Sequence, residues 1–229
     1  APPHGGQAPD LVLGQPNFTT NEPGTGRHQL NWPVSASTDG TRLAVTDTMN
    51  DRILIWNEFP TSNAEPADIV LQGGSSANAS KSTISWPWGV WTDGSRLVVS
   101  STVSASLLIW NTFPTYDGQP ADLLLTGSGD IGTPRQITSD GNSLIVGDHN
   151  ATAGGKDQAG TFFWTSFPTI DDQPYDFFVV EKNLAQTIAG IQRVTDAGFF
   201  PHVPVRLLLR ASESRRMVRR LVKPPLIPG

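Results

Sequence analysis

The chain has 229 residues, 37% of them hydrophobic and 16% charged, with 22 Gly, 19 Pro and no Cys. This length can bury a sizeable core, the composition fits neither disorder nor a coiled coil, and no apolar run approaches the roughly 18–20 residues of a membrane span. Without Cys there can be no disulfide, no thiol catalysis and no Cys-ligated metal, while the net charge of −5 hides an acidic body and a basic end: seven of the 16 Lys and Arg follow residue 205, against one acid there, Glu213. The acidic body is expected to repel nucleic acid.

In chain order, the first element is an isolated apolar phrase, Pro9-Asp10-Leu11-Val12-Leu13. It reads as the last strand of a unit whose earlier part is missing. A full unit follows. Val34–Thr38 and 42–46 flank Asp39-Gly40, a two-residue hairpin signal, because the turn needs positive φ. Next come a third strand, 52–56, ending in Ile53-Leu54-Ile55-Trp56, and a fourth, Asp68–Leu71. The same anchors then return. Trp56-Asn57-Glu58-Phe59-Pro60-Thr61 recurs as Trp110-Asn111-Thr112-Phe113-Pro114-Thr115 and as Trp164-Thr165-Ser166-Phe167-Pro168-Thr169. The interval from Trp56 to Trp110 equals that from Trp110 to Trp164, which sets the period of the repeat. Asp39-Gly40 recurs as Asp93-Gly94 and Asp140-Gly141. Self-similarity at a fixed period is the signature of a repeat architecture.

The third strand of each unit is apolar at nearly every position, so both of its faces must be covered. No helical stretch lies between the strands, so the cover must be neighbouring sheets. Four-stranded sheets stacked around an axis make a β-propeller. The expected fold is therefore all-β: a partial propeller of about 3.5 antiparallel blades over residues 1–198, followed by a basic non-repeat tail, 199–229. A β-sandwich is the alternative.

The stretch Leu30-Asn31-Trp32-Pro33, Thr38–Asp47 and Asn50-Asp51-Arg52-Ile53-Leu54-Ile55-Trp56 resembles an NHL-type repeat. Ala8–Pro16 resembles the linker of secreted bacterial propellers of that kind. The resemblance covers about residues 8–196 and is closest in the first unit. The second unit lacks the pattern of Asp47, Asn50 and Arg52; the third carries an insertion. The resemblance implies a propeller serving in recognition, without naming a ligand, and an extracellular or periplasmic location.

Loop lengths divide the units into two ends. The Asp-Gly hairpins stay constant, and so does the spacing from Trp56 to Asp68, from Trp110 to Asp122 and from Trp164 to Asp176. The connections at the other end vary; the third unit gains residues around His149–Gly160. Binding groups usually sit on variable loops held by a rigid scaffold. The candidate binding residues there are Trp32, Trp86, Trp88, Asp47, Asn50, Arg52 and His149. Each has a structural reading beside the functional one: packing for the tryptophans, loop hydrogen bonding for Asp47 and Asn50. The tryptophans could stack on a sugar or peptide ring. Trp56, Trp110 and Trp164 read as buried packing residues, and Asp39, Asp93 and Asp140 as turn residues.

The four histidines lack metal-ligand spacing, Asp148–Asp157 lacks the spacing of a calcium loop, and the leading strands carry no acid or His before the turn. No metal and no cofactor are expected. The expected function is a non-catalytic binding or scaffold propeller with a protein or glycan ligand. A propeller lyase or lactonase, or a fragment without its own function, is the alternative.

The pattern fails after Asp196. A strand is expected near Ile191–Thr195, but Phe199–Pro204 carries two prolines that a central strand cannot accept. Val205–Val222 then reads as a basic amphipathic helix. Three explanations stay open: a shifted reading frame, a tail for an anionic or membrane surface, and a packed cap. An incomplete ring would expose a sheet face and favour self-association.

Overall fold

A computed structural model describes residues 8–153, 157–180, 188–193 and 205–209, and it divides into two compact units, Ala1–Phe178 and Val179–Gly229. The regular structure of the described residues is almost all strand. The first sheet holds β1 (Pro33–Thr38), β2 (Leu43–Asp47), β3 (Arg52–Trp56) and β4 (Ile69–Gln72). The second holds β5 (Pro87–Thr92), β6 (Leu97–Ser101), β7 (Ser106–Trp110) and β8 (Leu123–Leu125). The third holds β9 (Pro134–Ser139), β10 (Leu144–Ala151), β11 (Gln158–Trp164) and β12 (Phe177–Val180). Each is an antiparallel sheet with its strands in sequence order. Strand by strand, the expected elements of the three full units are present to within a residue or two.

The leading strands lie side by side, β1 against β5 and β5 against β9. The sheets stack through their faces. Ile53 and Ile55 of β3 enter a core shared with Leu97, Val99, Leu108 and Trp110, while Leu54 and Trp56 of the same strand enter a second core on the opposite face. Leu107 and Ile109 of β7 likewise turn away from the first sheet, into a core with Leu144, Val146, Phe162 and Trp164. This two-sided burial is why the third strands do not alternate in polarity.

The outward face of the first sheet is not bare, contrary to the expectation for an open stack. Leu13 and Leu30 pack onto Leu43, Val45, Leu54 and Trp56, all buried. The outward side of the third sheet differs: Ile145, Phe163 and Phe177 there are only half-buried.

Contacts between sheets repeat with the sequence period. The backbone N–H of Val70 in β4 donates to Asp117 Oδ1 at 2.9 Å, and the N–H of Gly118 donates back to Val70 O at 2.9 Å. One period on, Leu124 and Asp171-Asp172 repeat both bonds at 2.9 Å. Val12 makes the same pair with Asn63 and Ala64. Asp10–Leu13 pairs with no strand among the described residues, yet Val12 occupies the place of a fourth strand, as its sequence suggests.

In the second compact unit, β13 (Ile188–Arg193) pairs antiparallel with β14 (Val205–Leu209). β13 begins one full period after β9, at Ile188 rather than near the expected Ile191. β14 corrects the helix expected from Val205: residues 205–209 are a strand. Both prolines of the 199–204 stretch come before its first residue, so none of its ladder bonds is lost to them. Residues 210–222 of the expected helix lie outside the described residues. The expected insertion at His149–Gly160 is also not simply a loop. Most of the added residues lengthen β10 and β11 into a longer hairpin.

Candidate functional site

The sheets have two ends. The turn end carries the Asp-Gly hairpins and the Trp-to-Asp connections. Asp39 Oδ1 accepts the N–H groups of Thr41 at 2.8 Å and Arg42 at 2.7 Å; Asp93 and Asp140 repeat the pattern. Gly40, Gly94 and Gly141 sit at φ of 94°, 88° and 87°, as the turn requires. The Arg42 backbone N–H holds the Asp39 carboxyl below the usual carboxylate range, and the Ser143 N–H does so for Asp140. At Asp93 burial works the other way, but the backbone and guanidinium bonds of Arg96 outweigh it.

The three repeat tryptophans are buried here and donate their indole N–H to Glu65, Gln119 and Gln173 carbonyls at 2.9, 3.0 and 2.9 Å. The carboxylate or amide of each of these three residues caps the Thr of the Phe-Pro-Thr phrase. That acceptor position, at the same distance in sequence after each Trp, is a repeat element that sequence reading passed over. Arg42 lies 4.6 Å over the Phe113 ring, and Arg96 lies 3.9 Å over the Phe167 ring. The Asp, the Gly, the indole and its acceptor do the same local job in all three units, while the Arg gives way to Ser143 in the third.

At the loop end one backbone bond recurs, from the N–H groups of Asn31, Ser85 and Gly132 to Asp47, Ser101 and Asp148, but the side-chain cluster around it differs in each unit. In the first, Asp47 accepts the Asn31 N–H at 2.6 Å and the Arg52 Nε–H at 2.7 Å, with both side chains almost fully buried. Arg52 also donates to the carbonyls of Thr25, Gly26 and Gln29 at 2.5, 3.0 and 3.1 Å. Asn50 bridges Asp47 Oδ2 and the Gly24 carbonyl, both at 2.8 Å. These three candidates therefore hold the 24–31 loop from beneath, which is their structural reading. In the second unit the equivalent positions are Ser101, Ser104 and Ser106. Ser104 Oγ lies 2.6 Å from Ser101 Oγ and 2.9 Å from Ser106 Oγ. A neutral hydroxyl chain replaces a buried ion pair. In the third unit Asp148 accepts the N–H groups of Gly132 and Thr133 at 3.0 Å each.

The tryptophan candidates do come together. Trp32 is 52% exposed, and its ring centroid lies 5.8 Å from Trp86 and 6.0 Å from Trp88, edge to face. Trp32 and Trp86 each precede a proline, and each has φ in the left-handed region, 56° and 48°. For bulky residues such a backbone costs on the order of 1–3 kcal/mol and persists where the surroundings enforce it. For Trp86 part of that enforcement is visible: Asp51 of the first unit accepts its N–H at 2.7 Å. Trp88 is fixed from the other side. A Cβ on Gly89 would stand 2.2 Å from the Arg135 carbonyl, so only Gly lets β5 and β9 approach this closely. That approach sets the Arg135 guanidinium carbon 3.8 Å over the Trp88 ring. Arg135 and Thr133 were not among the sequence candidates. The signal was positional: counted from the Asp-Gly turn, they stand where Trp88 and Trp86 stand in the preceding unit.

Two buried side-chain atoms lack a hydrogen-bond partner among the described residues: Thr133 Oγ1 and Arg135 Nη1. No ion pair joins Arg135 to a described carboxylate. Beside Trp32 is a pocket of about 400 Å³ lined by Leu13, Gln15, Asn21, Glu22, Leu30 and Asn31 among others. His149 is exposed, and its backbone N–H donates to the Thr133 carbonyl at 3.2 Å. That places its backbone beside the cluster. Among the described residues no group of three or more His, Asp or Glu is placed to hold a metal ion, and no helix is long and apolar enough to cross a membrane. The cluster offers the exposed Trp32 ring, two half-buried indoles and a half-buried guanidinium, which suits recognition of a ring that also bears a hydrogen-bond acceptor.

No protein-family model matches this chain, and no curated protein matches it.

Proposed function

We propose that the three sheets are consecutive blades of an NHL-type β-propeller, and that the chain binds a glycan or protein non-catalytically through its loop end. The adjacent leading strands and the sheet-on-sheet cores support the propeller reading, as does the set of inter-sheet bonds that repeats with the sequence period. The binding reading is carried by one observation: Trp32, Trp86 and Trp88 gather at the loop end, with Trp32 half in solvent beside a pocket. Exposed aromatic anchors beside a pocket with convergent polar groups are the usual make-up of a recognition site. Self-association through the less covered side of the third sheet belongs to the same proposal. So does the extracellular or periplasmic location, which rests on the resemblance.

A panel of immobilised oligosaccharides and peptides tests it, read with the wild type, Trp32→Ala and Phe59→Ala. Phe59 is 51% exposed and lies at the turn end. The proposal expects Trp32→Ala to lose whatever the wild type retains, and Phe59→Ala to keep it. Loss in Phe59→Ala with retention in Trp32→Ala would place binding at the wrong end.

A further inference from the structure

We infer that the loop-end cluster recognises an acidic sugar unit, a uronate-type ring, with Trp32 and Trp86 stacking on the ring and Arg135 pairing with its carboxylate. This deepens the binding reading above and depends on it.

The argument starts from Arg135. Arg135 Nη1 is shielded and has no acceptor, while the side chain as a whole is half-buried and pairs with no described carboxylate; a ligand carboxylate on its open edge would compensate the charge. Contact with the Trp88 face answers part of the charge, but a ring face accepts no hydrogen bond along the plane of the guanidinium. Nη1 is therefore left over. The guanidinium fork matches a carboxylate in two parallel bonds better than any other side chain does. Thr133, at the bend just before β9, carries a second unsatisfied group, a shielded hydroxyl. The cation covers Trp88, which in turn packs against Trp32.

The indoles narrow the ligand further. A pyranose has one apolar face of C–H bonds and an equator of hydroxyls. It can lie on an indole while its edge makes hydrogen bonds. The pocket beside Trp32 carries Gln15, Asn21, Glu22 and Asn31, side chains suited to hydroxyl groups, and its size is within the range of small-ligand sites. Glu22 would repel a carboxylate there. The acidic unit is therefore assigned to the Arg135 side and a hydroxyl-rich neighbouring unit to the pocket. The site takes a short oligosaccharide, with its charge at one end.

Titration calorimetry with two probes tests this: the trimer of galacturonic acid, and the neutral galactose trimer. The inference expects the acidic trimer to bind at least tenfold more tightly than the neutral one in low salt. In Arg135→Gln that ratio should fall to within twofold of one, while thermal melting shows the variant folded. Arg135→Lys, which keeps charge but not the fork, should give an intermediate ratio. If both trimers bind wild type equally, the site is a sugar site without acid selectivity; the inference fails and the binding reading stands. If Arg135→Gln keeps the tenfold ratio, Arg135 is a structural cation and the inference fails. If neither trimer binds while a peptide of the panel is retained in a Trp32-dependent way, the inference fails and the ligand is a protein. If neither trimer binds and nothing in the panel depends on Trp32, both readings fall together.

Discussion

At the turn end, the three units make the same bonds with the same kinds of residue; at the loop end, a shared backbone bond is held by a different side-chain cluster in each unit. The turn end uses one Asp, one Gly, one buried indole and one acceptor in each unit, and even the distances recur. At the loop end, an Asp–Asn–Arg cluster, a chain of three serines and a lone Asp with a lengthened hairpin perform the same closure in three ways. The lesson is that closing this end makes few demands on chemistry. The residues above it, Trp32, Trp86, Trp88, Thr133 and Arg135, are correspondingly free to serve another purpose. They include two bulky aromatic residues in the left-handed region, where the turn end places only the small or short residues Ala64 and Asp172, and two unpaired buried polar atoms.

The largest expected effect separates the two classes of tryptophan. Trp110→Ala opens a cavity in the core between the first and second sheets and should cost about 3–5 kcal/mol in denaturant unfolding. Trp32→Ala, half exposed but packed edge to face on Trp86 and Trp88, should cost about 1 kcal/mol. Equal costs would dissolve the distinction between the ends.

The second test concerns the interchangeable closures. Asp47→Ala leaves Arg52 buried without its carboxylate and should cost about 3 kcal/mol or more. Replacing Asp47, Asn50 and Arg52 together by Ser, the set already present in the second unit, should cost clearly less than the single change. A triple variant worse than Asp47→Ala would mean that the two chemistries are not equivalent.

Gly89→Ala should cost about 1–3 kcal/mol through the overlap with the Arg135 carbonyl. It should also push Trp88 off Arg135, seen as a change in tryptophan emission. The smallest effect is in pH. The folded-state pKa values of Asp39, Asp93 and Asp140 are lowered, so the stability they contribute is present above the ordinary Asp range and is lost as pH falls through their folded values. Melting temperature should fall on acidification below about pH 4. The triple Asp→Asn variant should show a shallower fall.

Much of the fold was legible because the turn end is locally determined. Asp-Gly demands its turn, and a strand such as Ile53–Trp56, apolar at each position, demands cover on both faces. Each unit states this again one period later. The loop end was legible only in part. Asp47, Asn50 and Arg52 look like functional polar groups in sequence, but Asn50 and Arg52 donate to backbone carbonyls of residues 24–29 and Asp47 accepts the Asn31 N–H, which no side-chain pattern reveals. Arg135 was missed because its significance lies in the neighbouring strand: it matters through Trp88 and through the close approach at Gly89. Val205–Leu209 was misread because a short apolar run flanked by Arg fits helix and strand alike; the pairing with β13 decides it.

The central claim, that the loop end binds while the turn end builds, is tested most directly by NMR of the seven indole N–H groups during titration with the galacturonic acid trimer. The account predicts that the signals of Trp32, Trp86 and Trp88 shift together, while those of Trp56, Trp110 and Trp164, bonded to their backbone carbonyls, stay in place. Shifts confined to the latter three, or no shift at any indole at saturating trimer, would contradict it.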